Sequence, residues 1–146
     1  MASFIERLRA EMLARVASIP GAVGEPLEAR GLTTDERDLP RVWAWIESDR
    51  VSSRTKPDED DDPSRVVEIH EVSLAVGVLA KNSTAAADVD AMVREIRERF
   101  FPRFEGHDFL LQGVDWEDQL RAFARPFVSA SVELTINYIA PDDDAG

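Results

Sequence analysis

Apolar positions recur along this chain in two periods, and the change from one to the other lays out its elements. Ser3-Phe4-Ile5-Glu6 has the form of a capping box, and Phe4, Ile5, Leu8, Met12, Leu13, Val16 and Ile19 follow at helical spacing until Pro20-Gly21. This predicts a first helix. Residues 21–40, rich in Gly, Pro and polar groups, predict an irregular connection closing on Leu39-Pro40. In "RVWAWIES" the period becomes two: Val42, Ala44 and Ile46 point one way, Trp43 and Trp45 the other. Apolar groups on both faces predict an interior strand, covered on both sides.

The next apolar run, "RVVEIHEVSLAVGVLA", alternates through Val67 and Ile69 and then through Val72, Leu74, Val76 and Val78. That slip of one residue predicts a bulge at His70-Glu71 that restores the inward face. Asn82-Ser83-Thr84 offer capping side chains to a second helix, whose stripe is Val89, Met92, Val93, Ile96 and Phe100, ending before Pro102. A turn is expected at "FEGHD", then shorter strands at "FLLQGVDW" and "QLRAFAR". The last strand is the plainest, with Val128, Ala130, Val132, Leu134, Ile136 and Tyr138 on one face and Ser129, Ser131, Glu133, Thr135 and Asn137 on the other. A disordered tail is expected over residues 141–146. Helices with one apolar stripe each, set against a mainly antiparallel sheet, predict a two-layer α+β domain with both helices on one face. At 146 residues the chain is expected to be a single domain, residues 1–146.

Composition changes this picture chiefly through charge. The chain carries 29 acids and 17 bases, a net charge of −12, and its only lysines are Lys56 and Lys81. Such an excess opposes the compact state by self-repulsion and disfavours binding to free nucleic acid. Concentrated salt relieves it, since the screening length falls to about 3 Å at 1 M. Abundant acids with arginine in place of lysine fit a halophilic source, and equally a GC-rich genome. The densest run, "KPDEDDDPS", sets Asp58, Glu59, Asp60, Asp61 and Asp62 between two prolines. Five adjacent like charges predict a solvated, mobile hairpin loop over residues 57–63. No apolar run approaches the length of a membrane span, nor does the N-terminus have the uninterrupted apolar segment of a secretory signal. The absence of cysteine excludes disulfides, thiolate nucleophiles and zinc–thiolate sites.

Candidate chemistry is sparse. His70 and His107 have no partner at metal-ligand spacing and read as surface histidines. Asp115, Glu117 and Asp118 read as a solvated turn, and Ser129 and Ser131 as the polar face of a strand without a G-x-S-x-G elbow. Neither phosphate-binding glycine loop is present. No catalytic, cofactor-binding or metal-ligating residue is assigned, and the chain is expected not to be an enzyme. Trp43 and Trp45 read as core or as a subunit interface.

Together, the N-terminal helix, Leu39-Pro40 before a short apolar strand, the acidic hairpin, the strand led by Arg65, the helix "DVDAMVREIRERF" and the closing "LTINYIA" resemble the tail terminator proteins of long-tailed phages and viruses. The resemblance spans residues 3 to 140 and rests on element order and a few anchors. Arg41 stands where a small apolar residue is more usual, and the two tryptophans belong to no pattern of the family. The resemblance implies a structural virion protein that caps the head-proximal end of the tail tube as a ring, commonly a hexamer; with the acidic composition, it fits a halophilic tailed virus. It implies that the ring ends tube polymerisation and joins tail to head, and that it is assembled in the host cytoplasm. The implied partners are other copies of the chain, the tail tube protein and the head-proximal connector or stopper, with DNA passing through the lumen without specific binding and no membrane involved.

A closed ring needs two unlike, complementary surfaces on each subunit. The candidates are Trp43 and Trp45, the edge of the long strand ending near Tyr138, the acids Asp58 to Asp62, and the helix arginines Arg94 and Arg97, which could equally pair with Glu95 and Glu98. Two other readings stay open: another neck component, such as a stopper or tail-completion protein, and a stand-alone acidic module that mimics nucleic acid. If self-repulsion limits stability, the melting temperature rises as salt is raised toward molar concentration, measured by calorimetry. A melting temperature indifferent to salt would remove the halophilic reading.

Overall fold

A computed structural model describes residues 2–19, 41–55, 66–81, 85–118 and 127–144. In chain order its elements are α1 (Phe4–Val16), β1 (Arg41–Thr55), β2 (Val67–Lys81), α2 (Ala85–Arg99), β3 (Leu110–Asp118) and β4 (Phe127–Ala140). The strands form one antiparallel sheet in the order β1-β2-β4-β3. Both helices lie on the same face, α1 over β1 and α2 over β2 and β4. The chain is therefore an α+β fold of two layers. The expected irregular connection 21–40, the acidic residues 57–63, the capping segment 82–84 and the expected strand at 119–125 lie outside the described residues.

Ser3 starts α1 as its sequence predicts. Its Oγ accepts a hydrogen bond from the backbone N–H of Glu6 at 3.2 Å, satisfying one of the donors that a helix start leaves open. Phe4, Leu8, Met12 and Val16 then recur on one face and are buried. Arg15 ties the two helices together. Its guanidinium donates to the carbonyls of Arg99 at 3.1 Å, Pro102 at 2.6 Å and Arg103 at 3.1 Å, just where α2 ends and its last acceptors lack partners. The same group lies over the Phe109 ring at 4.7 Å, so its charge is held by backbone dipoles and a π face at once.

Register across the sheet decides which side chains meet. Val42, Val78, Ala130 and Trp116 share one row; Ala44, Val76, Val132 and Val114 the next; Ile46, Leu74, Leu134 and Leu111 the third. These rows face the helices and, with α1 and α2, make the core, except at their β3 ends, where Trp116 and Leu111 stay exposed. The opposite face carries Trp43, Gly77, Ser131 and Asp115 in one row, and Trp45, Ala75, Glu133 and Gly113 in another.

Several expectations need correction. β1 is an edge strand among the described residues, not an interior one. Both its faces are apolar because the tryptophans lie flat over the small residues of β2, not because strands flank it. The expected bulge at His70-Glu71 is absent. β2 pairs with β4 without interruption, and the irregularities fall in β1, between Ile46 and Ser48 and between Val51 and Ser53, and in β3, between Leu111 and Gly113. His70 therefore points toward the helix layer and Ile69 away from it. β4, whose edge was a candidate interface, is interior, with β2 on one side and β3 along most of the other. Asp115, Glu117 and Asp118 belong to β3 rather than to a turn.

Residues 141–144 are built into the fold. The turn at Phe104–His107 has positive φ at Glu105 and Gly106, as a two-residue hairpin loop requires, and reciprocal backbone bonds of 2.9 Å. Residues 141–144, expected to be disordered, form a turn whose Asp144 Oδ1 accepts from the Phe4 N–H at 3.1 Å. The Asp143 carbonyl accepts from Arg7 at 2.6 Å, and Arg7 also grips the Glu105 carboxylate with two bonds of 3.0 Å.

Gly77 is fixed by close approach. A Cβ there would lie 2.6 Å from two ring carbons of Trp43. Gly77→Ala should thus destabilise by about 1–3 kcal/mol, the usual range for forced overpacking. In a Trp43→Leu background the same change should cost clearly less. Denaturant unfolding of the four-member cycle checks this, and additive effects would show that the ring does not sit over Gly77.

Candidate functional site

Three places gather side chains beyond what the core requires: the sheet face turned away from the helices, the two sheet edges, and the far end of the helix-side face. On the open face Trp43 and Trp45 stack with ring centroids 6.1 Å apart and planes 17° from parallel. Alternation puts both on one side of β1, and Gly77 and Ala75 directly across on β2 give them room. Ala75 is buried although it faces away from the helices. Trp43 Nε1 is itself buried without a hydrogen-bond partner among the described residues, a cost of about 1–3 kcal/mol.

Next to the indoles the face is acidic. Burial raises the pKa of Glu133 above the usual carboxylate range; the hydrogen bond from Ser131 Oγ, 2.9 Å, works against this, and the nearby carboxylates of Glu47 and Asp115 work with it. Three carboxylates, two indoles and serine hydroxyls make a surface able to accept cations and apolar groups. They do not make a nucleophile with its base. Among the described residues no group of three or more His, Asp or Glu side chains is arranged to hold a metal ion.

The edges differ from each other. β3 leaves Leu110 47%, Leu111 42% and Trp116 49% exposed on an outer strand that carries Asp115, Glu117 and Asp118 and no base. β1 carries Arg41, Arg50 and Arg54, with Arg50 bound to Glu71 at 2.6 Å and Arg54 to Glu68 at 3.0 Å. Its irregularities at both ends of Ser48–Val51 twist that part of the edge, as proteins do to discourage unwanted pairing.

A third group lies at the far end of the helix-side face, where β1 changes parity. Asp49 accepts from the Tyr138 hydroxyl at 2.9 Å through one oxygen and meets His70 Nδ1 at 2.8 Å through the other. His70 Nε2 lies 3.4 Å from Glu68. The rings of His70, Tyr138 and Phe4 stack in that order, with centroids 4.7 Å and 4.3 Å apart. Burial favours the neutral imidazole, but the hydrogen bonds and charges of Asp49 and Glu68 outweigh it and raise the pKa of His70. Burial, then the bond to Asp49, raises that of Tyr138 too, so its hydroxyl stays a donor. The group clamps β1, β2, β4 and the start of α1 together.

Of the residues singled out in the sequence, Trp43 and Trp45 do come together. Asp58, Glu59, Asp60, Asp61 and Asp62 lie outside the described residues. Arg94 is on the outer face of α2, paired with Asp90 at 3.0 Å rather than with Glu98, and Arg97 is exposed one turn on. Tyr138 is only 3% exposed and belongs to the clamp, so it is not on the surface of this chain. Nor are the histidines simple surface residues: His70 is in the clamp, and His107 Nε2 is 3.2 Å from Asp143 with its ring edge-on to Phe4. The residues that sequence reasoning missed are Leu110, Leu111 and Trp116. Their signal was a strand apolar at both parities, "FLLQGVDW", placed at the edge of the sheet: Leu111 and Trp116 take the helix side and Leu110 the other.

Comparison of the chain with protein-family models finds no match, and comparison with curated proteins finds none either. No helix among the described residues is long and apolar enough to cross a membrane.

Protonated His70 gains partners on folding, so its contribution to stability is complete below the unfolded pKa of about 6.5 and is lost as pH rises through the higher folded value. Unfolding free energy should therefore fall between pH 6 and 8.5 more steeply in the natural chain than in His70→Gln. Equal slopes would mean that the imidazole gains nothing from Asp49 and Glu68.

Proposed function

We propose that this chain is a structural ring subunit that caps the head-proximal end of a viral tail tube, ends tube growth and joins the tail to the head connector. The observation that carries the reading is a sheet whose two edges, open among the described residues, are unlike: β1 carries arginines and acids in near balance, and β3 is apolar and acidic without a base. A subunit that repeats head to tail needs two different surfaces, and these two lie on opposite sides of one sheet. The two-layer α+β architecture and the element order on which the resemblance rests support it further. The activity is assembly rather than turnover, with the ring most simply a homohexamer. Its partners are the tube protein, the connector and its own copies.

The acidic segment 58–62 has a place in this reading. On the lumen wall or facing a partner in the neck, five carboxylates keep passing DNA from adhering. Light scattering of the purified chain, alone and with tail tube protein of the same virus, should give a closed oligomer or one that forms on tube ends, visible by electron microscopy. A monomer that ignores tubes and instead captures a basic protein one to one would favour the acidic-module reading. Rings in which residues 58–62 are replaced by Asn, Gln and Ser should still assemble, yet retain duplex DNA at low salt where natural rings release it. No difference in retention would detach the segment from DNA passage.

A further inference from the structure

Resting on the ring reading, we infer that the ring closes by direct strand pairing: the Gly113–Glu117 stretch of β3 in one copy adds to the Arg41–Trp45 stretch of β1 in the next, making one continuous antiparallel sheet. The direction follows from the topology. With order β1-β2-β4-β3 and every neighbour antiparallel, β1 and β3 run in opposite senses within a chain. A second copy set edge to edge in the same orientation therefore presents its β1 antiparallel to the first copy's β3. Each addition repeats the same operation and leaves the same two edges open, the condition for a head-to-tail ring.

The irregularities select the segments. In β1 they lie beyond Ile46, and in β3 they lie before Gly113. The bulge-free parts of the two edges occupy the same cross-strand rows. Following the register through β2 and β4, Arg41 shares a row with Glu117, Val42 with Trp116, Trp43 with Asp115, Ala44 with Val114 and Trp45 with Gly113. Placed edge to edge on those rows, residues of opposite charge meet at Arg41 and Glu117. Half-exposed Trp116 comes beside Val42 and the layer formed by α1.

The Trp45–Gly113 row repeats a solution the chain already uses. Within one copy Trp43 lies over Gly77 on the adjoining strand, while around Gly113 a Cβ would find nothing within 4 Å. Across the join, the next copy's indole would stand beside a strand position that carries no side chain. The occupant is a second copy because the two edges complement each other in sense, row and charge. The charge match is the single row of Arg41 and Glu117, on a β3 stretch without a base; Arg50 and Arg54 lie beyond the join and pair with Glu71 and Glu68 of their own copy.

The chain contains no cysteine, which makes the geometry directly testable. Ala44 and Val114 share a row, and residues opposite one another in an antiparallel pair have Cα atoms about 4.5–5.5 Å apart, within the span of a disulfide. Within one copy they are three strand spacings apart, roughly 14 Å, too far to bridge. On mild oxidation the double variant Ala44→Cys, Val114→Cys should yield a denaturation-resistant ladder of multimers, while either single variant stops at dimer or below. Trp116→Glu should raise the concentration for half-assembly by about ten-fold or more, the weight of one interface aromatic. Phe101→Ser, at a residue 72% exposed and off the edge, should leave it unchanged. Circular dichroism confirms that the variants fold. Rings that form without a ladder and tolerate Trp116→Glu would overturn the strand join and leave the ring reading standing. A natural chain that never exceeds a monomer, even with tube protein, would overturn both.

Discussion

The unbroken pairing of β2 with β4 is the constraint from which the rest of this molecule follows. From Glu68–Ala140 to Lys81–Phe127 every residue has its partner in register, so the two strands keep a fixed alternation of faces along their whole length. Val72, Leu74, Val76 and Val78 on one and Ala130, Val132, Leu134, Ile136 and Tyr138 on the other can only face the same way. Both helices bury their stripes there. Any slip in this central pair would invert the core, which explains why the irregularities sit in the outer strands, where a change of parity affects one strand alone.

That arrangement also explains how polar chemistry enters a buried face. β2 continues its alternation through Val72 to His70 and Glu68, and these polar residues arrive on the helix side where the apolar stripe runs out. β1 answers by inserting Glu47, which turns Asp49 to the same side. Asp49 then satisfies both the His70 ring and the Tyr138 hydroxyl, and the stack of His70, Tyr138 and Phe4 carries the contact to the start of α1. The C-terminal turn closes the same corner through Asp143 and Asp144. A half-buried polar group of this kind is tolerable because its members satisfy one another and its carboxylates keep contact with solvent.

With one face of the sheet given to helices, the other carries the indoles of Trp43 and Trp45, which shield Gly77 and Ala75 without a second layer among the described residues. Among the described residues, a sheet finished in this way still has its two sides open. In the proposed ring those sides are what assembly consumes, and the acidic surface around Glu47, Asp115 and Glu133 accompanies them. The same open edges that would endanger a solitary protein by indiscriminate pairing become specific when their unlike chemistry and their irregularities permit one partner.

Local pattern determined much here. Ser3 and the spacing from Phe4 to Val16 specify α1, the stripe from Val89 to Phe100 specifies α2, and the alternation from Val128 to Tyr138 specifies β4, because each is a repeat that only one backbone geometry can bury on one side. Those elements suffice for a two-layer α+β domain. What the tertiary structure decided was the neighbour of each strand. The two-sided apolar pattern of Val42 to Ile46 cannot tell an interior strand from an edge strand roofed by its own tryptophans, and the slip at His70 cannot tell which of two paired strands absorbs it. Strand order, the gathering of Asp49, His70 and Tyr138, and the exposure of Leu110, Leu111 and Trp116 depend on contacts between residues distant in the chain. No local period records them, because they are set by which surfaces meet.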